Sequence, residues 1–421
     1  MTASTLETPL EIRRSLVWMI VVLGLILVAS TFWKKGRLGD NARSRFITVE
    51  RLVERNTWAH IAPGDTTPFE PSIDVIKMGD RIYSSKPPLY PLIMAGEAKV
   101  LKAVTGWEFY AHRKDYLRFL IILNQILPYL LMLWVAMRWL GEFTQDSWTQ
   151  HFMLIGMSLG LIAFGYTPEI NNHSPGACLL FLSCHQVYRV WVGRERRIWA
   201  MGLIGLLLGL TVSFELPALA FGLMLLGLLL WRRWQGGLLA ALGMLVPILP
   251  SMLVFHAISG EWKPFYLQGK LYRFEGSYWS QPKDSDLLQE PQALYFLKTL
   301  FGVKGLFFVT PLLLLPVAGI LPGLRRRIRP LAPLLKALVL PILVVVAYYG
   351  LRTHNYGGDC IGMRWYIVFM PLLLFLGWPV VEWLGKSVWG KVTCILLLLL
   401  SLLQNAVALY MDCFLDIEKL F

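Results

Sequence analysis

Residues 15–33 read SLVWMIVVLGLILVASTFW, an apolar run without a single charged side chain. A helix needs about 20 mostly apolar residues to cross the hydrocarbon core of a bilayer. Similar runs recur along the chain, so the sequence predicts an all-α polytopic membrane protein whose residues 1–421 form a single integral membrane domain. About eleven transmembrane helices are predicted, near 15–33, 117–140, 152–167, 174–192, 198–214, 215–231, 237–258, 305–322, 333–350, 365–384 and 390–411.

Composition supports this fold class. The 421 residues are 56% hydrophobic and 16% charged, against roughly 45–50% and about 25% in soluble domains. These values exclude a disordered chain and an ordinary soluble enzyme. The net charge of +13 comes from basic residues at the ends of apolar runs, which indicates membrane orientation and not a nucleic-acid partner. The five cysteines show neither CxxC nor zinc-type spacing.

The basic residues also predict the orientation, because short cytoplasmic connections are enriched in Lys and Arg. When the predicted spans are counted, these residues all fall on one face, which places the N-terminus in the cytoplasm. They are Arg13, Arg14, Arg194, Arg196, Arg197, Arg232, Arg233, Arg325, Arg326, Arg327, Arg329, Lys386 and Lys391. Two long segments, 34–116 and 259–304, then form the first and second large extracytoplasmic loops.

The first of these loops carries a helical pattern. Ala42, Phe46, Val49 and Val53 recur at i, i+4, i+7 and i+11, with charged residues between them. This spacing predicts an amphipathic juxtamembrane helix near 41–56, suited to the membrane interface. A second such helix is predicted near 88–105, after Pro87-Pro88. Between them, turn residues flank short extended pieces.

Asp40, in Leu38-Gly39-Asp40-Asn41, is the first candidate for chemistry. A carboxylate at the membrane surface can act as a general base or help to hold a metal ion. The alternative is structural, because Asp is a preferred N-cap for the helix predicted from residue 41. The sequence leaves both roles open.

Lys86 is the second candidate, in Tyr83-Ser84-Ser85-Lys86-Pro87-Pro88-Leu89-Tyr90-Pro91. A phosphate held there would meet the lysine charge and the free amides of a helix start. The alternative is a lysine that extends along lipid towards the headgroups, and for this short motif alone the alternative is favoured.

Further candidates lie at other predicted outer ends. Arg364 follows a glycine-rich stretch, Gly357-Gly358 to Gly362, and suits bidentate phosphate binding, although an Arg-Trp pair is also an ordinary interfacial anchor. Glu215 is an isolated acid between apolar runs, where an unpaired charge is costly. His173 has no partner spaced for metal binding, so a polar loop residue is its simpler interpretation.

Taken together, these motifs resemble the GT-C superfamily of membrane glycosyltransferases, which includes the protein O-mannosyltransferases and the bacterial aminoarabinose transferases of lipid A. In that superfamily a first span leads to a large outer loop with an acid, an amphipathic helix and a Lys-Pro-Pro-Leu motif before a second interfacial helix. The matching order here is Asp40, then 45–53, then 83–89. The segment 357–365 is similar to a Gly-Gly, Arg-aromatic stretch of some bacterial relatives.

The resemblance implies a sugar donor carried on a polyprenyl phosphate, an acceptor on the extracytoplasmic face and contact with membrane lipid, in a bacterial plasma (inner) membrane. It implies that Asp40 is the general base or orients the acceptor hydroxyl. Lys86 would neutralise the leaving phosphate, and Arg364 would assist. The other candidate site residues are Arg45, Tyr83, His173 and Glu215. Many members carry a second acid where this chain has Asn41, so no metal ligand and no cofactor is assigned, and a divalent metal is unsupported.

Two alternatives remain open at this point. One is a noncatalytic relative that binds lipid or scaffolds an envelope complex, and Asn41 keeps it in play. The other is a transporter, which would place ionisable residues along several spans. The predicted spans are nearly free of charge, which favours chemistry at the surface. In the segment 259–304, Tyr266, Tyr272, Tyr278 and Trp279 are compatible with an acceptor site and, somewhat better, with an interfacial aromatic belt.

Overall fold

A computed structural model describes residues 9–33, 38–65, 72–282, 286, 290–319, 331–358 and 360–411. Asp359 of the glycine-rich stretch, the basic residues 325–329 and the end of the predicted span 305–322 lie outside these ranges. The described chain is predominantly helical, and its apolar helices identify a multi-pass membrane protein.

Seventeen helical segments and three strands are numbered here in chain order. The helices are α1 Leu10–Trp33, α2 Asp40–Glu54, α3 Leu89–Thr105, α4 Arg113–Leu140, α5 Ser147–Leu159, α6 Ala163–Tyr166, α7 His173–Trp191, α8 Ile198–Phe214, α9 Leu219–Arg232, α10 Trp234–Ser259, α11 Gln292–Phe301, α12 Leu306–Val309, α13 Leu314–Ala318, α14 Ala332–Arg352, α15 Met370–Phe375, α16 Trp378–Leu384 and α17 Val388–Met411. The strands are β1 Ala59–Ile61, β2 Val75–Met78 and β3 Arg81–Ser84.

The predicted count of about eleven spans is corrected by the helix lengths. Within the described ranges, six helices are long and apolar enough to cross a membrane, or seven if the bent segment 364–384 counts as one. Five of the six correspond to predicted spans, and the bent segment matches the prediction at 365–384. The sixth, Gln292–Val309, is absent from the predicted set and overlaps the end of the segment 259–304.

The other predicted spans do not form helices that are both long and apolar enough to cross a membrane. The reasons are helix breaks and polar residues, which a count of apolar residues does not detect. α5 ends after 13 residues and α8 after 17, while Pro217 and Pro311 interrupt the runs that contain them. Proline removes a backbone donor and breaks a helix. α7 is long enough but contains His185 and Arg189, which lower its hydropathy.

The first large segment contains a small sheet, which corrects the all-α prediction. β1, β3 and β2 pair antiparallel in that order, with Val75 opposite Ser84 and Met78 opposite Arg81. The two-residue turn between β2 and β3 requires a left-handed backbone at Gly79, whose φ is +56°, a conformation that glycine adopts without steric cost. The hairpin therefore brings residue 74 beside residues 85 and 86.

Helices are present where both amphipathic helices are predicted, as α2 and α3. α2 is covered by protein on most of its circumference, because apolar Phe46 and Val49 and polar Ser44, Arg45 and Arg51 are all buried. Fully buried charged side chains are rare unless they are paired. The polar face of α2 therefore belongs to the interior of this segment.

The packing of α8 against α10 depends on glycine. A Cβ atom at Gly205 would lie 1.9 Å from the carbonyl oxygen of Ala240, and one at Gly209 would lie 2.2 Å from that of Met244. Gly243 approaches the Gly202 carbonyl just as closely, at 2.2 Å. Small residues allow membrane helices to approach backbone to backbone.

We expect Gly205→Val to destabilise the protein by about 1–3 kcal/mol or more, because the clashing atoms are backbone and cannot rotate away. Gly227→Val in α9 is the matched control, since a Cβ there meets no atom within 4 Å. Thermal unfolding of both variants in detergent measures the difference. Equal melting temperatures for the two variants would contradict this account of the packing.

Candidate active site

Asp40 is the first residue of α2, and its carboxylate points to the loop before β2. Its Oδ1 accepts a hydrogen bond of 3.1 Å from the backbone N–H of Ile73 and lies 3.5 Å from the guanidinium of Arg43. The N-cap position is Gly39, and no side chain caps the helix there. Asp40 is thus not an N-cap but a link between α2 and the segment 72–74, and about a third of its side chain is exposed (37%).

Lys86 forms an ion pair with Asp74. Its Nζ lies 2.9 Å from Asp74 Oδ1, and the Asp74 carbonyl accepts hydrogen bonds from the Ser44 hydroxyl and the Ser85 amide. Burial lowers the pKa of Lys86, the charge of Asp74 opposes this shift, and the positive charges of Arg45 and Arg364 add to it. The lysine therefore lies beside one acid and within electrostatic reach of two arginines.

Arg45 lies at the centre of the same region. One terminal nitrogen donates to the backbone and side-chain oxygens of Asn41, and the other donates to the Asn172 side chain. Burial lowers the pKa of its guanidinium to about 10, and the negative charges of Asp74 and Glu215 oppose this shift. Arg45 is thus still positively charged at pH 7.

Glu215 and His173 are linked to Arg45 through Asn172. Nδ1 of His173 is 2.5 Å from Oε1 of Glu215, and both side chains are buried. The Asn172 amide donates to the same carboxylate oxygen while its own oxygen accepts from Arg45. Glu215 is held in extended backbone between α8 and the turn that begins at Leu216-Pro217.

Arg364 begins the turn that precedes α15 and lies against the glycine-rich stretch. A Cβ atom at Gly357 would come 3.4 Å from Arg364 Cγ, and Gly357, Gly358 and Gly362 all have left-handed φ angles. The charge of Arg364 influences Arg45 and Lys86. We call Arg45, Lys86 and Arg364 the cationic cluster.

In the part of the chain that the structure describes, Tyr83 forms no hydrogen bond or ion pair with these residues. It pairs with Ile76 across the hairpin and packs on a small apolar cluster that contains Ile76, Phe255 and Phe265. It also lines a narrow crevice together with Lys86. Its position fits packing of the sheet against α10.

The second large segment covers the first. The Trp279 indole N–H donates a 2.9 Å hydrogen bond to the Ile73 carbonyl, and the Tyr272 hydroxyl bonds to Ser85. The Asn355 side chain donates to Asp286, which also accepts from Tyr278. Two of the aromatic residues singled out in the sequence therefore contact residues adjacent to Asp74 and Lys86.

A π-helical turn in α4 contacts the segment that carries Asn172 and His173. It spans Ile122–Ile126 and turns Gln125 towards α3, where its amide donates to the Tyr90 hydroxyl and to the Asn171 carbonyl, both at 2.6 Å. The Asn171 amide donates back to Gln125 at 3.1 Å. Such π-bulges often occur at functional sites. This one fixes the backbone just before Asn172 and His173.

The sequence did not indicate Asp74 or Gln125 as members of this arrangement, and it did not indicate that Asn172 bridges Arg45 and Glu215. The hairpin pattern is the signal that would have identified Asp74, because counting back from the Gly79-Asp80 turn places residue 74 opposite residue 85. Gln125 and Asn172 depend on long-range packing, and no local pattern indicates them.

The arrangement brings three cations close to Asp74, Glu215 and His173. Fixed cations of this kind stabilise negative charge on a phosphate better than solvent does, because they need no reorganisation. Within the described ranges, no three His, Cys, Asp or Glu side chains lie close enough to hold a metal ion. The region is suited to an anionic group.

No protein-family model and no curated protein matches the chain. Solved structures do. The chain is similar to the archaeal oligosaccharyltransferase AglB from Archaeoglobus fulgidus, solved in complex with an inhibitory peptide and a dolichol-phosphate, with a TM-score of 0.52 and 12% identity over 96% of this chain and 56% of that one.

A second structure of the Archaeoglobus fulgidus oligosaccharyltransferase, tethered through a disulfide bond to an acceptor peptide with the NVT sequon, gives a TM-score of 0.50 and 14% identity. It covers 95% of this chain and 55% of that one, so the chain spans little more than half the length of these enzymes. At such low identity the likeness establishes the fold alone. The chain therefore shares the fold of the matched part of these oligosaccharyltransferases, in agreement with the resemblance to the GT-C superfamily.

Proposed function

We propose that the protein is a glycosyltransferase that moves a sugar from a polyprenyl-phosphate donor to an acceptor on the extracytoplasmic face of the membrane. The observation that carries this proposal is the cationic cluster. The Ser44 hydroxyl, next to Arg45 in the chain, bonds to the Asp74 carbonyl, the Asp74 carboxylate pairs with Lys86, and the charge of Arg364 acts on both Arg45 and Lys86. The GT-C-type fold supports it, and so does the dolichol-phosphate bound to the archaeal neighbour.

The cluster has a defined role in such a reaction. Departure of a sugar from its lipid phosphate builds positive charge on the sugar and negative charge on the leaving oxygen. Lys86 and Arg364 neutralise that oxygen, and the buried charge of Arg45 adds positive potential from the side of α2. Before substrate binds, Lys86 forms an ion pair with Asp74. The incoming phosphate therefore replaces the Asp74 carboxylate as the partner of the lysine.

Asp40 is proposed to orient the acceptor beside this phosphate site. Its carboxylate lies at the start of α2, next to Asn41, which accepts from Arg45. The proposed orientation places the N-terminus in the cytoplasm of a bacterial inner membrane and the segments 34–116 and 259–304 outside. Trp279, bonded to the Ile73 carbonyl, then lies on the acceptor side.

The test is Asp40→Asn, which keeps the shape of the side chain and removes its charge. We expect sugar transfer in membranes to fall at least about tenfold, because the acceptor hydroxyl loses its charged hydrogen-bond partner. Transfer of label from tritiated polyprenyl-phosphate hexoses measures it. Asp80→Asn, in the exposed turn of the hairpin, is the control, and an unchanged rate with Asp40→Asn would remove Asp40 from the mechanism.

A further inference from the structure

A buried imidazole–carboxylate pair lies beside the cationic cluster, and the proposed phosphate chemistry does not use it. Nδ1 of His173 is 2.5 Å from Oε1 of Glu215, and both side chains are about 5% exposed (6% and 5%). The pair joins two distant parts of the chain, the start of α7 and the junction between α8 and α9. The contact is an ion-pair distance without the alignment of a hydrogen bond, and Nδ1 is otherwise fully enclosed without a partner among the described residues. A proton on Nδ1 therefore has the Glu215 carboxylate beside it, which leaves the opposite nitrogen as the proton acceptor.

The second ring nitrogen is the reactive one in this arrangement. Among the described residues, His173 Nε2 makes no hydrogen bond, and it is not among the fully enclosed polar atoms that lack a partner. It therefore faces accessible space.

The surroundings keep the imidazole neutral. Burial lowers the pKa of His173 at the outer end of α7, Glu215 opposes the shift, and the positive charges of Arg364 and Arg45 add to it. The positive end of the α7 dipole acts in the same direction. A neutral imidazole at pH 7 can accept a proton, and Glu215 then stabilises the imidazolium that forms.

The pair is also held in place by its neighbours. Asn172 donates to Glu215 and accepts from Arg45, so the pair is coupled to a member of the cationic cluster. Gly176, one turn into α7, makes room for the acid, since a Cβ there would lie 2.9 Å from Glu215 Cγ. Proton acceptor and phosphate site thus share one rigid frame.

We infer that His173, oriented by Glu215, is the general base that activates a hydroxyl acceptor in the transfer reaction. This inference rests on the proposed function. The acceptor oxygen forms a bond to the anomeric carbon of the sugar while its proton passes to His173 Nε2. The bond from that carbon to the phosphate oxygen breaks, and the electron pair leaves with the lipid phosphate, whose charge the cationic cluster holds. The acceptor class is therefore a hydroxyl, on a saccharide, lipid or side chain.

The experiment compares His173→Gln and Glu215→Gln with the wild-type chain in membranes, with tritiated polyprenyl-phosphate mannose and glucose as donors. Loss of a general base costs about 10²–10⁴-fold, and we expect His173→Gln to lower kcat by this factor with little change in the donor KM. Glu215→Gln should lower kcat in the same direction. Ser174→Ala is the control, because its hydroxyl is buried next to His173 and has no partner among the described residues.

The pH profile supplies a readout that a purely structural role would not change. Glu215, Arg45 and Arg364 are the charged groups that act on His173. Because the base must be neutral, wild-type kcat should stay constant at neutral pH and fall only below roughly pH 6.5, the ordinary histidine pKa. The residual activity of His173→Gln should lack this fall.

Binding of tritiated polyprenyl phosphate separates this inference from the proposed function. The inference predicts that His173→Gln binds the lipid phosphate as the wild type does. Wild-type kcat in His173→Gln overturns the inference and leaves the proposed function standing. A wild-type chain that binds polyprenyl phosphate but transfers neither sugar overturns the inference together with the proposed transfer, and only the phosphate site stands. A wild-type chain that does not bind polyprenyl phosphate overturns the proposed function itself.

Discussion

Lys86→Ala is expected to lower sugar transfer about 100- to 1,000-fold, the usual cost of removing one preorganised group that stabilises charge in a transition state. The variant removes the ammonium group that lies 2.9 Å from Asp74 and leaves that carboxylate facing the phosphate site. The repulsion between Asp74 and the phosphate adds to the loss. Both effects act on the leaving group, so kcat falls more than the donor KM rises.

Lys99→Ala is the matched control for this variant. Lys99 lies on α3 in an exposed position, with only a 3.4 Å contact to Asn56, so its removal should leave transfer unchanged. The double variant Lys86→Ala/Asp74→Ala should recover part of the lost activity, because it also removes the opposing charge. Transfer at the wild-type rate with Lys86→Ala would contradict the role assigned to the cationic cluster.

Arg45→Ala is expected to have the second large effect, on both stability and transfer. Arg45 is 2% exposed, and its loss leaves Asn41 and Asn172 without their donor and Glu215 without a compensating charge. Removing one partner of a buried charged network typically costs about 3–5 kcal/mol. Thermal unfolding in detergent and sugar transfer should both fall.

Arg45→Lys separates the two effects. It keeps the positive charge but cannot reach Asn41 and Asn172 at once, because only the guanidinium has a planar fork of donors. We expect a smaller loss of stability and a clear loss of transfer. Arg55→Ala is the control, since Arg55 is 45% exposed and its ion pair with Asp65 is worth at most about 1 kcal/mol. Equal melting temperatures for Arg45→Ala and Arg55→Ala would exclude the proposed network.

The contact between Lys86 and Asp74 illustrates what local sequence can and cannot give. Lys86 is recognisable because the proline pair that follows it indicates a helix start, and α3 begins at Leu89. Asp74 lies twelve positions earlier in a stretch without a motif. Only the hairpin register, with Val75 opposite Ser84, brings it to the lysine.

The helix count failed for a different reason. Apolar composition is a local property, whereas the length of a straight helix depends on where prolines and glycines interrupt it. Pro311 divides the run near 305–322 into short pieces. Conversely, Gln292–Val309 is long enough to span a membrane, although its first residues are amphipathic and resemble a loop segment in the sequence.

His173 and Glu215 are 42 positions apart, and neither is convincing alone. An isolated acid at a helix end and a histidine without a metal-type partner each fit an ordinary structural role. Their contact is created by the packing of α7 against α8, to which Gly176 contributes. A single sequence gives no access to such long-range pairs, so the pair follows from the fold.

The most direct test of the central claim is the equilibrium binding of polyprenyl monophosphate and of uncharged polyprenol to the purified full chain in detergent. If the cationic cluster holds a lipid phosphate, the phosphate form should bind at least about tenfold more tightly, and replacing Arg45, Lys86 and Arg364 by uncharged residues should remove that preference. Equal affinities for the two lipids, or a preference that survives the triple replacement, would contradict the account.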